Sequence, residues 1–265
     1  MRHEELWEEE RPVVGVVHLL PLPGSPRWGR SMDAVLDRAM EDARIMAEGG
    51  LHGLLVENYG DTPFSPGSNP PETLAAMAVV IRYLVTAFSI PVGVNILRND
   101  ARSALGVAVA AGARFIRVNV HTGSMFTDQG LLEGKAYETL RTRSALGVSV
   151  SILADVFVKH GWPPPGATLE GAAQDAWHRG LADGLILTGT RTGSPVDTDE
   201  IDLLREALPP EGRIWIGSGA SPVNARQLLD DADGLIVGSA LQRGGIAGSG
   251  VEAPRVRELM DALSE

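Results

Sequence analysis

Short apolar runs rich in β-branched residues alternate along the chain with longer amphipathic stretches. This is the pattern of parallel strands joined by helices. Strands are read at Val13 to Leu19, Gly53 to Glu57, Val92 to Ile96, Phe115 to Val120, Ser149 to Val156, Gly184 to Leu187, Ile214 to Ile216 and Gly234 to Val237. Helices are read at Ser31 to Glu48, Pro71 to Phe88, Asp100 to Ala111, Lys135 to Leu146, Leu169 to Arg179, Thr198 to Leu208, Pro222 to Leu229 and Pro254 to Leu263. Gly49-Gly50 and Gly112 supply helix stops.

Eight strand–helix units predict an α/β fold of the closed (β/α)8 TIM-barrel type, which leaves no sheet edge exposed. The 265 residues are close to the ~250 usual for that barrel and read as one domain. Residues 1–11 form an N-terminal extension that covers the barrel bottom or assists an interface. An open doubly wound sheet has fewer units and a glycine fingerprint after its first strand. Here the glycine signals follow the last two strands. Helix-to-strand turns are short (Ala111-Gly112-Ala113, Arg179-Gly180-Leu181), whereas strand-to-helix loops are long and polar. Loop length thus points to the strand C-terminal face, where this fold carries its sites.

Composition narrows the chemistry. The chain has no cysteine, which excludes disulfides, thiolate catalysis and Cys-based zinc sites. Its formal net charge of −11 argues against nucleic acid and anionic lipid as partners, since both are polyanions. There is no apolar stretch of the ~20 residues needed to span a bilayer. Met1 to Arg11 is acidic and polar, unlike a secretory signal. A cytoplasmic location follows as the expectation, with peripheral membrane association as a lesser variant and a homo-oligomer as an open option.

The glycine signals are Gly217-Ser218-Gly219 after the seventh strand and Gly238-Ser239 after the eighth. Glycine lets backbone approach an anion, serine adds a hydroxyl, and a short helix beginning near Ser239 would aim N–H groups at the same point. In this fold those two loops are the place for phosphate. Turn formation alone would also use such glycines. The expected ligand is a phosphorylated small molecule gripped by Gly217, Ser218, Gly219, Gly238 and Ser239.

Other strand ends carry polar groups: His18, Glu57, Asn95, Asn119, Asp155, and Thr188-Gly189-Thr190, with Lys159 in the loop after Asp155. Glu57 and Asp155 each close an apolar run, where a carboxylate is costly unless paired or solvated. Two carboxylates across the mouth could divide acid and base roles. Lys159 and Lys135 are the only lysines. Lys159 could pair with Asp155, hold an oxyanion or form a Schiff base. Glu57, Asp155 and a histidine could instead hold a divalent cation, although no tight metal spacing is present. Asp100 reads as a helix N-cap, and His18, Asn95 and Asn119 could equally be satisfied core groups.

These segments resemble the BtpA/SgcQ family, related to the ribulose-phosphate-binding barrels. The resemblance runs from about Val13 to Leu263. It is carried by His18 with Pro21-Leu22-Pro23-Gly24-Ser25-Pro26, by Glu57-Asn58-Tyr59-Gly60-Asp61-Thr62-Pro63-Phe64, and by Gly93-Val94-Asn95-Ile96-Leu97-Arg98-Asn99-Asp100. It continues through Arg117-Val118-Asn119, Thr127-Asp128-Gln129-Gly130, Ala154-Asp155-Val156, Val158-Lys159-His160, Thr188-Gly189, Thr192-Gly193, Gly217-Ser218-Gly219 and Gly238-Ser239. Where the resemblance leads one to look for a lysine after the eighth strand, Gln242-Arg243 stands instead, keeping a cation nearby. One branch of the family is associated with photosystem I and the thylakoid surface, another with sugar uptake and sugar-phosphate genes. Two readings follow. One is an enzyme of isomerase, epimerase or lyase type acting on a sugar phosphate or phosphoribosyl compound. In it Glu57 or Asp155 is the base, Lys159 is the stabiliser, and His18, Asn95 and Asn119 complete the mouth. The other is a non-catalytic ligand-binding assembly factor.

Overall fold

The computed structural model describes residues 3–189 and 197–264. Thr190, Thr192 and Gly193, named above, lie outside the described residues. The chain opens with a short helix α1 (His3–Leu6), then strand β1 (Val13–His18) and helix α2 (Met32–Glu48). The Ser31 hydroxyl caps α2 by accepting from the Ala34 N–H at 3.1 Å, and Gly49 ends it. There follow β2 (Gly53–Glu57), α3 (Pro71–Ala87), β3 (Val92–Asn95) and α4 (Ala101–Ala111). Helix α4 is capped by Asp100, which accepts from Ser103 N–H, and is closed by left-handed Gly112. Next come β4 (Phe115–Val118), a hairpin β5 (Ser124–Thr127) and β6 (Gly130–Glu133), and α5 (Ala136–Leu146). The chain continues through β7 (Ser151–Asp155), β8 (Gly161–Trp162), α6 (Leu169–Gln174) and β9 (Gly184–Leu187). It closes with α7 (Thr198–Ala207), β10 (Ile214–Ile216), α8 (Ala225–Asp231), β11 (Gly234–Val237) and α9 (Ala253–Ser264).

Eight strands form one closed parallel barrel in the order β1-β11-β10-β9-β7-β4-β3-β2. Side chains alternate between two destinations, as strand pleating requires. Val13, Val17, Leu54 and Val56 pack outward against the helices, while Val14, Val16, Leu55, Phe115, Leu153, Ile186, Trp215 and Ile236 fill the interior. Continuing that inward series up β1, β2, β3 and β7 ends on His18, Glu57, Asn95 and Asp155. The interior is thus apolar below and polar at the strand C-terminal end.

Three differences from the sequence expectations have local causes. The segment after β4 forms the hairpin β5–β6, which pairs antiparallel with β8 to make a small sheet beside the mouth. Its buried side rests on Val120, Met125, Leu132 and Val158, while Leu131, Phe126 and Trp162 lie in one cross-strand row and are exposed. Helix α6 gives way to a π-helical turn at Asp175–Arg179. Helix α8 starts at Ala225 rather than near Pro222, because Asn224 is spent on the preceding turn. Its Oδ1 accepts from the Ser221 N–H and hydroxyl at 2.8 and 2.9 Å, and its Nδ2 donates to the Gly219 carbonyl at 3.0 Å.

The N-terminal segment closes the opposite end. Trp7 is buried with its ring centroid 5.3 Å from both Phe115 and Trp215, and Leu6 is buried in the same interior cluster. Gly53 leaves the room this needs, since a Cβ there would stand 2.6 Å from the Trp7 ring. Trp7→Ala is expected to lower unfolding free energy by about 3–5 kcal/mol, the range for truncating a buried large aromatic. Urea denaturation followed by circular dichroism measures it, and a loss under about 1 kcal/mol would mean that the plug does not hold the barrel.

Candidate active site

Strand register assembles the first three groups. His18 is level with Glu57, and Glu57 is level with Asn95. Asn95 Nδ2 donates to Glu57 Oε1 at 3.0 Å. His18 Nε2 lies 3.8 Å from Glu57 Oε2, and its ring packs on Tyr59 with centroids 4.6 Å apart. On the far side His18 Nδ1 meets the buried amide of Gln242. Burial pushes the His18 imidazole below its ordinary pKa despite the attraction of Glu57, so it is neutral at pH 7.

Arg117 forms the centre of the site. It enters the interior from β4, level with Leu153 and one step below Asn119, which is level with Asp155 by extension of the β4–β7 register. Its guanidinium donates to both Asp155 oxygens, from Nε at 3.0 Å and from Nη2 at 3.2 Å. Its Nη1 reaches Glu57 Oε1 at 3.6 Å. Asn119 Nδ2 completes the Asp155 shell at 2.8 Å. Burial alone would depress the arginine, but Asp155 and Glu57 hold its pKa above the ordinary value. Burial would likewise raise the Glu57 carboxyl. Arg117, His18 and Lys159 outweigh it together with the Asn95 hydrogen bond, and Glu57 sits below the usual carboxylate range.

These groups floor a cavity of about 1200 Å³ at the barrel mouth. Glu57, Asn95, Arg117, Asn119, His18 and Lys159 all line it, and so do Gly217, Ser218, Gly219, Gly238 and Ser239. Every site residue expected from sequence therefore faces one cavity except Asp155. Asp155 lies beneath the floor, with its side chain fully buried and both oxygens engaged by Arg117 and Asn119. Its carboxylate thus faces Arg117 rather than the cavity. The two carboxylates both turn to the Arg117 guanidinium, which stands between them. Among the described residues no group of three or more His, Asp or Glu side chains is arranged to hold a metal.

The two glycine-serine turns approach the polar layer closely. A Cβ at Gly217 would collide with Ile186 Cγ2 and stand 3.2 Å from Arg117 Nη2, and one at Gly238 would stand 3.2 Å from the His18 ring. These glycines therefore serve the packing of Arg117 and His18 as well as any ligand. A one-turn 3-10 helix, Ser239–Leu241, follows β11. Among the described residues the backbone N–H groups of Gly219, Ser239 and Ala240 donate no hydrogen bond.

Lys159 reaches the cavity from the loop after β7. Its carbonyl accepts from Arg98 Nη2 at 2.6 Å. Burial and the neighbouring Arg117 push its amine below the ordinary lysine pKa, against the pull of Glu57 and Asp155. Other motif residues brace loops. Asn58 Oδ1 accepts from Leu97 N–H and its Nδ2 donates to Asp61, which holds Leu22 N–H. Asn99 bonds both backbone groups of Val120. Asp100 takes the Asn69 N–H besides capping α4. The cation sought after the eighth strand is not at the mouth. Gln242 turns inward to His18, while Arg243 is exposed and lies 3.7 Å from Glu252.

Sequence reasoning gave Arg117 no role. The available signal was its place in Phe-Ile-Arg-Val, two residues before Asn119 and hence on the same inward face. Gln242 and Arg98 gave no comparable signal, because their side chains turn inward from loops.

Comparison with known proteins agrees with the barrel fold. The chain is 46% identical over 261 residues to the Photosystem I biogenesis protein BtpA of Synechocystis, covering 98% of this chain and 91% of that protein. Among solved structures, phosphoribosyl anthranilate isomerase from Thermus thermophilus superposes with a TM-score of 0.58 at 14% identity, over 95% of this chain and 98% of the other. Thiamine phosphate pyrophosphorylase from Pyrococcus furiosus gives 0.59 at 14%, over 96% of each chain. At that identity the likeness is one of fold. The sequence model of the BtpA family matches residues 9–265, and the chain therefore belongs to the BtpA family.

Proposed function

We propose that the chain is an enzyme that anchors a small phosphorylated metabolite at the barrel mouth and transfers a proton on it. The observation that carries this reading is the shared cavity. One wall offers the N–H groups of Gly219, Ser239 and Ala240 and the Ser218 and Ser239 side chains, and the floor offers Glu57, Asn95, Arg117, Asn119 and Lys159. A phosphate held at the wall would fix the rest of the molecule over the floor, removing much of the entropic cost of alignment.

The floor divides its roles by position. Glu57 is ionised at neutral pH and accessible, so it serves as the general base. Asn95 positions it. Arg117 and Lys159 stabilise negative charge that develops on the substrate. Asn119 Oδ1 is buried without a hydrogen-bond partner among the described residues. A substrate hydroxyl would satisfy it, as buried acceptors require. Isomerisation, epimerisation and bond cleavage next to a carbonyl all fit one accessible base under a cationic floor. The substrate class is a sugar phosphate or phosphoribosyl compound.

A second reading rests on the name of the Synechocystis relative. In it the same cavity binds a phosphorylated ligand without converting it, and the protein acts as an assembly factor. NMR of each bound metabolite with the protein separates the two. Conversion supports the enzyme, and binding without conversion supports the factor.

Inorganic phosphate or glycerol 3-phosphate is expected to raise the melting temperature. Ser239→Asp, which sets a negative charge in the grip, should weaken that binding by about tenfold or more, equivalent to about 1.4 kcal/mol. Equal affinity in the variant would remove the grip from those turns. Glu57→Gln should abolish conversion of the first metabolite found to turn over while leaving its binding within about twofold, and unchanged turnover would unseat Glu57 as base. Asp155→Asn should instead cost about 3–5 kcal/mol of stability, because it leaves Arg117 buried without its main counter-charge. Full stability by denaturant titration would contradict the positioning role.

A further inference from the structure

Lys159 differs from every other charged group on the cavity floor. Arg117 is tied to Asp155 and Glu57, and Arg98 is tied to the Lys159 carbonyl. Glu57 takes a hydrogen bond from Asn95. The ammonium of Lys159 makes no hydrogen bond and no ion pair within 4.0 Å among the described residues, although it lines the cavity. Arg117 and Arg98 repel it, and Glu57 and Asp155 attract it without pairing with it. A half-buried cation placed there without a partner is an arrangement that ion pairing does not explain. It does suit an amine that must give up a proton and attack.

We propose that Lys159 is a nucleophile that forms an imine with the carbonyl carbon of a phosphorylated aldehyde or ketone held at the mouth. This rests on the phosphate-anchoring reading above and narrows its substrate to a carbonyl compound. The ammonium first passes a proton to a floor base, Glu57 or neutral His18. The amine nitrogen then bonds to the carbonyl carbon, and the carbonyl oxygen takes that proton to give a carbinolamine. Loss of the hydroxyl with a second proton from the nitrogen, relayed by the same base, releases one water and leaves a protonated imine. Ammonium plus carbonyl thus becomes iminium plus water, with charge and atoms conserved. The imine draws electrons from the adjacent carbon, and Glu57 is the base available to take its proton. The downward shift of the amine pKa noted above acts in the same direction, favouring the free amine.

The chain supplies its own control, since Lys135 is exposed and is the one other lysine. The test uses the full chain with pyridoxal 5′-phosphate, an aldehyde that carries a phosphate, followed by borohydride reduction, digestion and mass spectrometry. Pyridoxal without the phosphate is run beside it. The expected result is a reduced adduct on Lys159 about tenfold or more above that on Lys135. Glycerol 3-phosphate should suppress it, and it should survive in Lys135→Arg but vanish in Lys159→Arg. Equal labelling of the two lysines, or labelling of Lys135 alone, overturns the nucleophile. If glycerol 3-phosphate still stabilises the protein in that case, phosphate anchoring stands without the imine. Labelling of Lys159 that is equal with pyridoxal and insensitive to glycerol 3-phosphate keeps the nucleophile and removes the phosphate anchor. Failure of both labelling and stabilisation removes both.

Discussion

The site depends on one buried guanidinium. Arg117 lies inside the barrel, tied through two donors to Asp155 and placed 3.6 Å from Glu57. Such an ion cluster is costly to bury unless nearly every lone pair and proton is matched. Here the matching is close to complete, since Asn119 serves Asp155 and Asn95 serves Glu57. The cluster also fixes what its neighbours can be. Gly217 must remain small beside Ile186 and Nη2, and Asp155 is drawn below the floor. The electrostatics of the mouth therefore come from a structural device that holds Glu57 ionised.

The barrel was legible because strand pleating writes itself into sequence. Runs such as Gly53 to Glu57 are apolar on both faces, as a parallel strand covered on both sides must be. The same two-residue period carried the polar layer: Val16 and His18, Leu55 and Glu57, Leu153 and Asp155 are consecutive inward positions. That is why His18, Glu57 and Asn95 could be named from strand ends alone. The hairpin β5–β6 was not legible, because its strands hold four residues each and mix exposed with buried positions. The difference between Glu57 and Asp155 was also hidden. Both end apolar runs, and the register of β4 against β7, with an arginine one step lower, decides which one faces the cavity.

Family membership and site geometry bear on different questions. Nearly the whole chain is shared with a protein named for photosystem I biogenesis. Yet several motif residues that carry the resemblance, among them Asn58, Asp61, Asn99 and Asp100, are occupied in bracing loops. Their hydrogen bonds account for them without any ligand. Lys159 and the unmatched oxygen of Asn119 are not accounted for in that way, and Glu57, although hydrogen-bonded, lines the cavity; the proposed chemical role rests on these groups.

The packing of Trp7 against Phe115 and Trp215 fills the end of the barrel opposite the mouth, so among the described residues the cavity opens on the strand C-terminal side. On the proposed reading, a small molecule held over the floor would have to leave by the route it came, past the same glycine-serine turns. A departing product would then stand in the way of the next arrival, and the occupant itself would serve as the stopper.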